Sequence, residues 1–244
     1  MGAMNNGYKR MQQHDGVAVP MVSRALAVYG FDEHVIGQEN DDIAIRENLR
    51  GKRDITSLMF RFRPDRLYIH PSYPPLACEI KSESGKYPNF AIEFDSYIAS
   101  KGHGSIYKAV YAFVDLGVDT IKLCWTKDVL YSTLIWVPQN HPDWKKALDY
   151  LEVHYPTVNA LPARRNNGSG TPNFVIPKNS SYLLPIDQFI KQELELRIDI
   201  DTKQKSGCGK QPESLTAPPT TLFDLDTYTE AIKNDLFHRP YYDD

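Results

Sequence analysis

The stretch from Arg63 to Lys81 reads RPDRLYIHPSYPPLACEIK, and the reading of the whole chain turns on it. Leu67-Tyr-Ile69 is a short apolar run, His70-Pro-Ser-Tyr-Pro-Pro75 carries turn chemistry, and Leu76-Ala-Cys-Glu-Ile-Lys81 runs on again. Two strands joined by a reverse turn follow from this pattern. Alternation along the second strand puts Glu79 and Lys81 on one face, with Cys78 and Ile80 on the other, toward a core. If the two strands pair antiparallel, Asp65 at the start of one comes close to Glu79 late on the other, giving two carboxylates beside an ammonium.

Working outward, Ile55–Phe62 also alternates and predicts a strand before these two. Helical spacing predicts helices over Val17–Tyr29 and Ile36–Leu49 upstream, and over Phe90–Ser100 downstream. Two or three strands rich in Val, Ile, Tyr and Trp are then expected at Ala109–Leu116, Thr120–Trp125 and Val129–Val137. A helix from Pro142 to His154, a mostly loop segment over residues 160–182, and a last helix from Pro185 to Arg197 complete the expected domain. Its span is residues 1–200, with a core over about 36–137; residues 201–221 read as a flexible linker and 222–244 as an acidic amphipathic tail. The tail reads as a terminal helix folded back on the domain or as a docking motif for a protein partner.

With 244 residues, 41% of them hydrophobic and 24% charged, the chain is long and apolar enough to bury a core, which excludes disorder throughout. Cys78, Cys124 and Cys208 have no CxxC spacing, so neither a disulfide framework nor a cysteine zinc site is expected. With no apolar leader or membrane-length run, these features predict an intracellular protein, cytoplasmic or nuclear, in a reducing compartment. The net charge of −3 argues against an indiscriminate DNA coat but averages over unlike regions. The tail carries six acids and two bases, whereas from Arg46 to Arg66 seven bases (Arg46, Arg50, Lys52, Arg53, Arg61, Arg63 and Arg66) face three acids. These bases, with Arg164 and Arg165 in a Gly- and Ser-rich loop, are the candidate nucleic-acid contacts.

Two carboxylates and a backbone carbonyl are what Mg²⁺ accepts, and a nearby lysine suits phosphodiester hydrolysis by a metal-activated water. Pro64-Asp65 followed by Glu79-Ile80-Lys81, in the expected order helix, three strands, helix, strand, resembles the PD-(D/E)XK, or restriction-endonuclease-like, nuclease superfamily. The resemblance covers about residues 36–116 and implies an α/β fold with an αβββαβ core, a mixed central sheet and flanking helices, here with a C-terminal extension. It implies Asp65 and Glu79 as metal ligands, the Ile80 carbonyl as a third, Lys81 as the catalytic lysine and Mg²⁺, or Mn²⁺ in its place, as cofactor. Glu39 or Glu47 would serve a second ion. The RecB-like branch carries Gln-x-x-x-Tyr on the next helix; Glu93-Phe-Asp-Ser-Tyr97 keeps the spacing and the tyrosine but not the glutamine.

The expected activity is a metal-dependent nuclease, an endonuclease on DNA, with RNA as the other substrate. A second function class keeps the nuclease fold without turnover, as a nucleic-acid-binding or assembly module. A homodimer would favour symmetric cuts in a duplex. Neither a GxxxxGK phosphate loop nor a GxSxG nucleophile elbow occurs in the chain.

Overall fold

A computed structural model of the chain describes residues 12–37, 41, 43–49, 55–103, 107–132, 134–139, 144–163 and 172–195. The expected linker and acidic tail lie outside the described residues. A π-helical turn, His14–Ala18, leads into α1, Val19–Ala27, whose Val19, Val22 and Leu26 are buried at helical spacing. Gly30, at a φ of 81°, lets the chain reverse after α1. It then enters β1, Asp32–Val35. Two short helices follow, α2 (Ile43–Leu49) and α3 (Ile55–Arg61), and then the strands β2 (Arg66–His70) and β3 (Tyr73–Glu83).

Two expectations fail in this region. The alternating Ile55–Arg61 segment is a helix, and the position beside β2 belongs to β1, with Asp32 opposite Ile69 and Val35 opposite Arg66. All four β1 residues are exposed, so this edge strand carries no apolar alternation to announce it. The expected β2–β3 pairing is present: the strands are antiparallel, with Arg66 opposite Cys78.

The chain continues through β4 (Asn89–Glu93), α4 (Phe94–His103), β5 (Lys108–Asp115) and β6 (Thr120–Trp125). A 3₁₀ segment, Thr126–Ser132, precedes β7 (Leu134–Pro138), α5 (Trp144–His154), β8 (Asn159–Ala163) and β9 (Asn173–Pro177). The last elements are β10 (Leu184–Pro185), α6 (Ile186–Phe189) and a π-helical turn, Ile190–Glu195. The segment expected to be loop over 160–182 therefore supplies two strands.

Among the described residues the central sheet has six strands in the order β1-β2-β3-β5-β6-β10, and β5 runs parallel to β3 and antiparallel to its other neighbour, β6. Seven of the eight β5 residues are buried, as a strand covered on both faces requires. One face packs on α1, α6 and the final π turn through Val22, Leu26, Cys78, Ile80, Ala112, Phe189 and Leu194. The other carries Tyr111 and Phe113 against α4, α5 and the second sheet, in order β4-β9-β7-β8. The architecture is a mixed central β-sheet flanked by α-helices. Among the described residues no helix is long and apolar enough to cross a membrane.

Two turns meet at one end of the sheets. A Cβ on Gly85, itself at a φ of 87°, would fall 2.7 Å from the Gly117 Cα. Beside them, Lys178 Nζ bridges Glu83 Oε2 and Asp115 Oδ2, each at 2.6 Å, and joins the end of the second sheet to the first.

Candidate functional site

The antiparallel β2–β3 hairpin brings Asp65, Glu79 and Lys81 together as the alternation predicts. Asp65 stands just before β2, where Asp65 Oδ2 accepts the Ile80 backbone N–H at 2.7 Å, and the Asp65 carbonyl accepts Gly37 N–H at 3.1 Å and Arg66 Nη1 at 2.8 Å. Glu79 is 7% exposed, and its Oε1 accepts Lys81 Nζ at 2.7 Å and Ser96 Oγ at 3.4 Å. The buried Tyr111 lies opposite Glu79 in the ladder and donates to Ser100 Oγ at 3.1 Å. His14, brought in by the first helical turn, pairs with Ser82 Oγ at 3.1 Å.

Electrostatics follow from this crowding. Burial, then the charge of Glu79, pushes the Asp65 carboxyl up to about 8, against the opposing pull of Lys81 and the Ile80 amide. Burial alone would lower the Lys81 ammonium, but Glu79, Tyr111 and Asp65 outweigh it and raise its pKa. Burial and then Lys81 hold His14 below its ordinary value.

Folding thus raises the Asp65 pKa from the ordinary 3.8 to about 8. The stability this carboxyl lends is complete below about pH 4 and is lost as pH rises toward about 8, because the unfolded chain releases the proton first. Asp65→Asn should flatten the stability–pH curve over that window in chemical denaturation at a series of pH values. A variant curve parallel to the wild type would show that Asp65 holds no such proton.

Of the other expected site residues that the structure describes, Arg66 reaches the Asp65 carbonyl, whereas Arg61, Arg63 and Tyr97 are engaged elsewhere. Arg63 is spent on an ion pair with Asp41 and on the Gly37 carbonyl at 3.0 Å, and Arg66 pairs with Glu33 at 2.6 Å. Arg61 lies over the Phe62 ring, 5.2 Å from its centre. Arg46 and Glu47 fall on α2, with their side chains outside the description; Glu39, Arg50, Lys52, Arg53, Arg164 and Arg165 lie outside the described residues. Glu93 and Tyr97 do not share a helix, since Glu93 ends β4 opposite Asn173 and α4 begins at Phe94. Tyr97 is a core residue, its ring 4.7 Å from that of Phe174. The α4 side chain that reaches the acids is instead Ser96, with Ser100 held to Tyr111; like His14, they belong to no motif that the sequence displays.

The expectation of a Mg²⁺- or Mn²⁺-dependent nuclease is overturned. Among the described residues no group of three or more His, Cys, Asp and Glu side chains could hold a metal ion. The geometry accords with this: one Asp65 oxygen is taken by a backbone amide, one Glu79 oxygen by Lys81 and Ser96, and burial with the charge of Glu79 raises the Asp65 pKa. The donor set among the described residues does not fit the cofactor that metal-dependent DNA hydrolysis requires. No protein-family model matches the chain, and no curated protein matches it.

Proposed function

We propose that the chain is a nucleic-acid-binding module that keeps a restriction-endonuclease-like scaffold without turnover. The observation that carries this reading is the closed network at the hairpin: Glu79 with Lys81 at 2.7 Å and Asp65 with the Ile80 amide at 2.7 Å. Such groups are the nuclease signature by residue type, yet here they bond to one another. The scaffold reading is supported by the order of elements, with helix α1, the antiparallel trio β1–β2–β3, the helix α4, and β5 parallel to β3. DNA or RNA is the partner class, because residues 46–53 carry Arg46, Arg50, Lys52 and Arg53 against Glu47 alone.

The test is fluorescence anisotropy with labelled duplex DNA, single-stranded DNA and RNA, in EDTA and in Mg²⁺, with the products run on a denaturing gel. The expected result is salt-sensitive binding that is the same in both buffers, retained by Asp65→Asn, with no cleavage. Metal-dependent products that vanish in Asp65→Asn, or a wild-type protein that binds none of the three probes, would overturn the reading.

A further inference from the structure

Away from the hairpin, the C-terminal end of α4, the start of β5 and the end of β6 enclose a cleft of about 250 Å³. Lys101 at the end of α4, Lys108 at the start of β5 and Lys127 in the 3₁₀ segment after β6 line it, and no carboxylate lines it among the described residues. Tyr107 and Trp125 form its aromatic wall. Tyr107 is 37% exposed, so its ring is open to a ligand, whereas Trp125 is 5% exposed and held in place. The Trp125 indole N–H donates to Glu193 at 2.7 Å, and its ring packs 4.9 Å from that of Phe189.

A second observation points the same way. Thr126, also lining the cleft, is only 4% exposed, and its buried Oγ1 has no hydrogen-bond partner among the described residues. A buried hydroxyl left unsatisfied is costly and uncommon in folded proteins. Three lysines in the lining, an unsatisfied hydroxyl and an open aromatic ring are together complementary to an anion attached to a planar ring.

We infer that this cleft is a nucleotide site, with the lysines on the phosphate and Tyr107 against the base. Lysine recognises phosphate as a point charge, and a base stacks on an aromatic ring whatever its identity. At about 250 Å³, below the roughly 300–1,000 Å³ of pockets that enclose drug-sized ligands, the cleft seats part of a single nucleotide unit and excludes a duplex. This inference rests on the nucleic-acid reading above and names where a strand is gripped. A unit within a single strand and a free mononucleotide share the chemistry.

The experiment compares the full chain with Lys108→Glu, Lys127→Glu and a control, Lys86→Glu, whose lysine is exposed in the turn after β3. Binding of labelled oligothymidylate and oligouridylate is followed by anisotropy across a salt series, and AMP by calorimetry. Each cleft reversal should weaken oligonucleotide binding about tenfold or more and lower the log–log salt slope by about one, with the control near wild type. If both cleft variants bind as the control does, the cleft is not the site, while the nucleic-acid reading survives. If the wild type ignores oligonucleotides but binds AMP, and the cleft variants lose it, the site stands for free nucleotides and the nucleic-acid reading falls. If the wild type binds neither probe, both fall.

Discussion

Lys81→Met is expected to lower the folding stability by about 2–4 kcal/mol, because removing this half-buried partner strands the charge of the buried Glu79. Glu79 is 7% exposed, its Oε1 is held by the Lys81 ammonium at 2.7 Å, and its remaining donor is Ser96 at 3.4 Å. Because burial and the charge of Glu79 raise the Asp65 pKa, Lys81 is the cation that offsets Glu79 beside a carboxyl that favours its neutral form. The double variant Glu79→Gln/Lys81→Met should recover most of the loss, since a neutral amide beside an apolar chain leaves no stranded charge. Urea denaturation of the two variants measures both effects. A single-variant loss under about 1 kcal/mol would place the pair among solvated surface ion pairs and remove the basis for calling the network closed.

Lys178→Met should cost about 2–4 kcal/mol for a related reason at the other end of β3. Its ammonium lies 2.6 Å from both Glu83 and Asp115, and all three side chains are largely buried, at 19%, 11% and 11% exposure. Without it two carboxylates confront each other where the sheets meet. The loss is softened because Glu83 also accepts the backbone N–H groups of Gly85, Lys86 and Tyr87, and Asp115 that of Gly117. Lys178→Arg keeps the charge and should lose less. Equal losses for the Met and Arg variants in denaturant titrations would show that packing over the Phe90 ring, 5.5 Å away, matters more than the ion pairs.

The hairpin was legible because both of its determinants are local. The turn at Pro71-Ser72, inside the window that reads as turn from His70 to Pro75, sets the antiparallel pairing, and period-two alternation sets the faces, so the meeting of Asp65 with Glu79 follows from a short window. β1 was not legible, because its four residues are all exposed and its order comes from backbone pairing to β2. β9 lay within a stretch read as loop, since its partner β4 is remote in the chain and Pro177 closes it early. Ile55–Arg61 has a strand's alternation, but the neighbouring sheet position was already filled. At the site, residue types revealed which groups gather, whereas whether their oxygens are already bonded depends on Ser96, the Ile80 amide and burial, none of which has a spacing signature.

The order of strands in the second sheet also sets a timetable. β4 pairs with β9, which follows it by about eighty residues, so a chain emerging from the ribosome holds β4 without its partner while β5 to β8 are made. The first sheet can zip from near neighbours during that interval, but the layer containing Phe90, Ile92 and Phe94 stays uncovered until Phe174 and Ile176 arrive. Lys178, directly after β9, then clasps Glu83 and Asp115 as a latch fastened late in synthesis. A chain truncated before residue 173 would present that unfinished apolar layer to solvent and to other nascent chains.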